Sequence, residues 1–275
     1  MSHAPFEHPL NLTMQAILTF ASWGIGLVLL AIAIHKGRRE GTPFYVLLVV
    51  AGGLAALAEP LYDIAFKLLF YIPGQWTLFT YGGIPQPVWT ISGYVTLYSG
   101  PALFICERLA RGLDQRTFWR WTAVTLLASG TFETVGIKGG TYAYWGPHAF
   151  RIFEYPLAVG ILETTFVMLF CVCANAYRQR ITTRWHLAGL LVLFPGVFYF
   201  VNFGIGAPTL VTLGLSPPSP ALVMFGSITS IAVALCVLAA IGRYATSPSS
   251  AATTTRPTIM ASHSVFARSA RTTSL

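Results

Sequence analysis

The stretch FYVLLVVAGGLAALAEPLYDIAFKLLF, residues 44–70, carries two acids, Glu59 and Asp63, inside an otherwise apolar run. It is long enough to cross the roughly 30 Å hydrocarbon core of a bilayer. With no water there, its backbone groups must pair within the segment, which predicts a helix. An acid at such a depth costs roughly 2.5–3.5 kcal/mol on insertion scales, so it faces a bundle interior or a cavity.

The whole chain has the same character. Of its 275 residues 55% are hydrophobic and 9% charged, against roughly 25% charged in soluble domains. The mean hydropathy is +0.64. Apolar segments lie at about 12–34, 44–70, 88–106, 118–137, 156–176, 185–207 and 219–241. The expected fold is all-α: a polytopic membrane protein with seven transmembrane helices. It divides into a short N-terminal tail (1–11), a transmembrane domain (12–242) and a basic Ser/Thr/Ala/Pro-rich tail (243–275), which is expected to be disordered. MSHAPFEHPLN has no Lys or Arg, and the apolar run after it is long enough to span, so it does not read as a cleavable signal.

Loop charge orients the spans. Lys36, Arg38 and Arg39, then Arg108, Arg111, Arg116 and Arg120, then Arg178, Arg180 and Arg184, and finally Arg243, Arg256, Arg268 and Arg271 fall on one side. By the positive-inside rule the N-terminus is outside and the C-terminus cytoplasmic, in the cell membrane. The net charge of +8 therefore meets lipid headgroups, and nucleic acid is not expected as a partner.

Other chemistry is absent from the sequence. No HExxH or HxxxH pair, Asp-rich run, phosphate-cradling Gly loop or GxSxG elbow is present. No metal and no cofactor is called for. The last span has no lysine for a retinal Schiff base. Cys106, Cys171, Cys173 and Cys236 read as small packing residues. Among the histidines only His148, in an aromatic loop, is a candidate site residue.

The acids remain. Glu59, Asp63, Glu133, Glu154 and Glu163 all fall near the outer ends of their spans, at one depth. Glu59 and Asp63 are four apart and share a helix face. Pro60 disfavours helical backbone at Glu59 and can kink the span there. At least one acid is expected to carry a proton, which makes it a proton donor in waiting. Two long loops, YIPGQWTLFTYGGIPQPVW and KGGTYAYWGPHAFRIFEY, lie on the same side and read as an aromatic belt or as a pocket wall. Tyr62, Trp76, Tyr81, Trp89, Tyr94, Tyr142, Tyr144 and Trp145 are the candidate substrate-binding residues, since aromatic faces stabilise cations.

At EPLYD (59–63), GQWTLF (74–79), YGGIPQPVWTISGY (81–94) and TYAYWG (141–146) the chain resembles a family of bacterial seven-helix membrane proteins. More distantly it resembles the integral-membrane terpene cyclases of meroterpenoid and indole-terpenoid pathways. That resemblance implies metal-independent protonation of an epoxide or alkene on an isoprenoid chain, with an acid of the second helix as proton donor. Glu59 is the matching position. The fungal members carry a second acid late in the chain. Nothing after Glu163 is acidic here, so the partner must be Asp63, Glu133 or Glu163.

The candidate catalytic residues are thus Glu59, Asp63, Glu133 and Glu163. The expected ligand is a lipid-like or isoprenoid small molecule, beside membrane lipids. Two alternatives stay open. One is a transporter or binding protein for a cationic or lipid solute, using the acids as a proton relay. The other is a structural protein in which the acids join helices.

Overall fold

A computed structural model describes residues 4–247; most of the 243–275 tail lies outside the described residues. The chain is mostly helical. Helix α1 (Leu12–Glu40) starts where the Asn11 side chain accepts from the Met14 amide and stops at left-handed Gly41. Helix α2 (Phe44–Ala55), a 3₁₀ turn (Ala56–Ala58) and α3 (Glu59–Phe66) form one rod. After β1 (Leu68–Phe70) and a hairpin of β2 (Thr77–Tyr81) and β3 (Ile84–Pro87), a second rod runs through α4 (Thr90–Tyr94), a π-helical turn (Val95–Ser99) and α5 (Gly100–Ala110). Helix α6 (Gln115–Lys138) is capped by Asp114, which accepts from the Thr117 amide over 2.9 Å.

Strands β4 (Tyr142–Tyr144), β5 (Arg151–Ile152) and β6 (Tyr155–Pro156) then lead into α7 (Leu157–Arg180). A 3₁₀ turn (Arg184–Gly189), α8 (Leu190–Tyr199), a π-helical turn (Phe200–Ile205) and α9 (Ala207–Leu213) follow, and α10 (Pro220–Ala245) ends the described chain, three residues past the expected limit at 242.

Among the described residues, five helical segments are long and apolar enough to cross a membrane: Leu12–Glu40, Phe44–Phe66, Leu157–Arg180, Arg184–Ile205 and Pro220–Ala245. Thr90–Ala110 and α6 are comparable in length but more polar. Arg116, Arg120, Glu133 and Lys138 lower the apolarity of α6. Helix α7 is the hub: 78% of its apolar window is buried inside the protein, against 28% for α1. Leu27, Leu127 and Phe225 are more than 60% exposed, as expected of surfaces that face lipid tails rather than water.

One end of the bundle gathers basic residues. Lys36 pairs with Glu107, which also pairs with Arg111, and Arg178 Nη2 reaches Glu40 over 2.6 Å. These ion pairs tie the ends of α1, α5 and α7 together. We call this the arginine end.

The other end departs from an all-α expectation. The two long loops are short antiparallel ladders, because their backbone groups still need partners once the helices stop. Strand β1 pairs with β4, setting Leu68 against Tyr144 and Phe70 against Tyr142. Strands β2 and β3 join through Gly82 and Gly83, both at positive φ, where a tight two-residue turn excludes most side chains. Gln15 of α1 holds this hairpin end down. Its side chain donates to the Gly74 carbonyl and accepts from the Trp76 amide.

The non-helical backbone expected at Glu59, ahead of Pro60, does not form. Glu59 is instead helical, at φ −50° and ψ −44°, and Pro60 sits in the first turn of α3, where its missing N–H costs nothing. A 3₁₀ turn precedes it.

Candidate active site

Glu59, Asp63, Glu133 and Glu163 come together below the hairpin end, and each is less than 10% exposed. The 3.6-residue period puts Glu59, Tyr62, Asp63 and Phe66 on the inward face of α3. Glu133 comes from the last turns of α6 and Glu163 from the second turn of α7. Glu59, Glu133 and Glu163 line one cavity of about 30 Å³, room for a water or two.

Glu163 is caged. Its Oε1 accepts from the Tyr98 hydroxyl at 3.0 Å and the Tyr62 hydroxyl at 3.3 Å. Its Oε2 accepts from Ser129 at 2.5 Å and Tyr155 at 2.8 Å. Four hydroxyl donors fill the lone-pair positions of an ionised carboxylate. A proton on Glu163 would have to displace one of them.

Glu59 and Asp63 form a pair. Tyr94 donates to Glu59 Oε2 over 2.5 Å, and Gln86 Nε2 donates to Asp63 Oδ2 over 2.6 Å. Asp63 Oδ1 is buried without a partner, one helical turn along α3 from Glu59. Asp63 does not line the cavity. It is nevertheless only 1% exposed, so it is no solvent-wetted neighbour.

Glu133 is the open member. Its Oε2 is buried without a partner, and the Tyr142 hydroxyl reaches its backbone carbonyl over 3.4 Å. An orphaned buried oxygen on a cavity wall marks a place for something absent from the protein itself. Glu154 is separate. It sits at left-handed backbone, φ 72°, and its side chain is largely exposed.

Aromatic rings close the cavity above and below. Phe70, Trp89 and Tyr142 form a roof, with centroids 5.4–5.8 Å apart. Tyr62 and Tyr94 form the floor, backed by Phe198 at 5.8 Å and 5.9 Å. Of the aromatic candidates, Tyr62, Trp89, Tyr94, Tyr142 and Tyr144 line the cavity, whereas Trp76, Tyr81 and Trp145 do not. Trp76 and Tyr81 sit in the hairpin, 43% and 53% exposed. Trp145 faces the other way, under the Lys67 ammonium at 4.9 Å. Burial first, then the Glu133 carboxyl, pushes the Tyr142 and Tyr144 hydroxyls well above their ordinary pKa, so both remain O–H donors.

Three site residues are missed by the reading of the sequence: Tyr98, Ser129 and Gln86. Tyr98 lies four residues beyond Tyr94 across a π-helical turn. The Tyr94–Tyr98 interval of four was a usable signal, since both face one way. Ser129 and Gln86 had none.

His148 is not a catalytic group in reach of the cavity. Its Nε2 donates to the Phe66 carbonyl over 2.9 Å. Burial, then the nearby Arg151 charge, pushes its pKa down to about 3. Neutral His148 and Arg151, which donates to the carbonyls of Tyr144 and Gly146, brace the loop over β4. The four cysteines are free thiols, and Cys106 and Cys171 are closed to solvent between α5 and α7.

Compared with known proteins, the chain matches no family model, no curated protein and no solved structure.

Proposed function

We propose that this protein is a seven-span enzyme of the cell membrane, N-terminus outside and C-terminus cytoplasmic, that cyclises an isoprenoid or similar lipid-like substrate by protonating it, without a metal. The observation that carries the reading is the shared cavity: Glu59, Glu133 and Glu163 meet there between an aromatic roof and floor. Acids are costly at membrane depth and are kept where they act. Aromatic faces stabilise positive charge without reacting with it.

The geometry supports a division of roles. Glu59 donates its proton to an epoxide oxygen or an alkene carbon, and Asp63, one turn along the same helix, returns one to it. Opening the epoxide C–O bond, or adding the proton to the alkene, leaves a carbocation that a second alkene of the same chain attacks. Caged Glu163 holds a fixed negative charge near that cation. Glu133, with a free oxygen, takes the final C–H proton. One proton enters and one leaves, so the product is an isomer of the substrate. The more distant resemblance to membrane terpene cyclases, in size, helix count and an acid in the second span, supports the same reading.

The seven-span count adds Thr90–Ala110 and α6 to the five strongly apolar segments. Their polar residues are the site itself and the arginine end.

The rival is a transporter or binding protein that uses the same acids as a proton relay. The buried Gln86–Asp63 bond, one helical turn from Glu59, favours it. Product analysis separates the two. Membranes containing the protein, fed an epoxidised prenyl chain, should yield a cyclised isomer. Substrate flux in proteoliposomes with no covalent change would overturn the enzyme reading.

A further inference from the structure

The cavity as it stands is far smaller than a ligand site, which spans roughly 300–1,000 Å³. Binding must therefore open a wall, and the walls differ. Toward the hairpin end the roof is backed by the β1–β4 ladder, with three backbone-registered pairs. Toward the arginine end Phe198 rests on Phe166, which packs on Phe170 and Phe194, and all four rings are closed to solvent. On the far side α7 packs along α5, α6 and α10.

The wall between α4 and α6 is thin. Helix α6 meets the π-helical turn below and β4 above, but hardly touches α4. What closes this window is one ring contact: Phe132 of α6 against Trp89 at the start of α4, with centroids 6.2 Å apart and planes at 60°. Both rings line the cavity. Gly93 leaves the gap they meet across. A Cβ there would lie 3.5 Å from the Trp89 ring and 3.8 Å from Phe132 Cζ.

Phe132 is only partly buried. Val124 and Val135, on the same side of α6, are apolar and exposed, at 53% and 44%. The window thus opens onto a surface suited to lipid tails. Its sill is the π-helical turn Val95–Ser99, an arrangement that recurs at functional sites. Phe132 is thus the side chain that stands between the cavity lining and that surface.

We propose that the substrate is a membrane-dissolved, largely apolar molecule that enters sideways between α4 and α6, with Phe132 and Trp89 as the gate that sets which chains pass. This inference rests on the reading of the cavity as the substrate site. A lateral door admits a lipid-like chain from the bilayer and keeps bulk water from the cation.

Leu97 lines the cavity below the window and serves as a reporter. In a background with Cys106, Cys171, Cys173 and Cys236 replaced by alanine, the Leu97→Cys protein in phosphatidylcholine nanodiscs is treated with N-pyrenylmaleimide, which partitions into lipid, or with a sulfonated maleimide confined to water. Thr90→Cys, also on the lining, is a second reporter, and a cooperative melt qualifies each variant. The lipid-soluble reagent should label faster than the aqueous one. Adding Phe132→Ala should speed its labelling about two- to tenfold, the change that follows from losing one aromatic pair, and Phe132→Trp should slow it.

Equal labelling by both reagents, or rates indifferent to residue 132, overturns the gate. The catalytic reading is tested separately by acid substitutions. If Glu59→Gln and Glu133→Gln left turnover intact while labelling followed Phe132, the active-site reading would fall and the gate would stand.

Discussion

Gln86 Nε2 donates to Asp63 Oδ2 over 2.6 Å, and neither side chain is more than 1% exposed. Gln86 belongs to the hairpin strand β3 and Asp63 to helix α3. A buried polar bond thus keys the hairpin end into the bundle and fixes the acid that partners Glu59. Such a bond is costly to break from one side only.

Replacing Gln86 by leucine should therefore lower stability by about 1–3 kcal/mol, the cost of a buried acceptor left without its donor. Thermal melts in detergent read this out. The double change Gln86→Leu with Asp63→Leu should recover part of the loss, because two apolar groups leave nothing unpaired. Equal melts for the wild type and Gln86→Leu would show that the bond contributes nothing.

The hydroxyl cage makes a second prediction. Tyr98→Phe and Tyr155→Phe each remove one donor to Glu163 and should each cost about 1.5–3 kcal/mol, the range for hydrogen bonds to a charged group. Their combination should depart from additivity, since both donors serve one carboxylate. If Tyr155→Phe melts unchanged, the cage is not what holds Glu163.

His148 gives the loops a pH response. Its folded pKa of about 3 lies below the ordinary 6.5. Its contribution to stability is thus complete above pH 6.5 and is lost as pH falls from there toward 3, because the unfolded chain takes up the proton first. Between pH 7 and pH 5 the loss should be about 1–2 kcal/mol. A His148→Gln variant should show a flatter melting profile over that range. An equally steep profile in the variant would assign the acid loss to other groups.

Orientation is open to chemical labelling. A single cysteine at Thr80, on the exposed hairpin, should react with an impermeant maleimide from outside intact cells. One at Arg180, at the arginine end, should react only after the membrane is opened. Both positions are exposed. The reverse pattern would invert the topology.

Much of this architecture was legible in the sequence, for identifiable reasons. Hydropathy marks Phe44–Phe66 and Leu157–Arg180 because a bilayer demands a continuous apolar length. Glu59, Glu133 and Glu163 were legible as a group because charge asymmetry gives each span a direction, and direction places its acids at a depth. What depth does not give is rotation. It could not tell that Trp76 and Tyr81 point away from the cavity, since the pairing of β2 with β3 is irregular between Thr77 and Phe79. Gln86 sits in a Pro-Gln-Pro loop segment and Ser129 in an apolar helix. Neither has a periodic neighbour to announce which way it faces. The effect of Pro60 was misplaced because a proline in the first turn of a helix is compatible with that helix. Only the structure shows that α3 begins at Glu59.

The central claim is that Glu59 gives a proton to the substrate. Turnover of an epoxidised prenyl chain by wild-type membranes and by Glu59→Gln membranes, at matched amounts of inserted and folded protein, tests it most directly. The account predicts a loss of about 10²–10⁴-fold in the variant, the usual contribution of a general acid. Turnover equal to the wild type would contradict it.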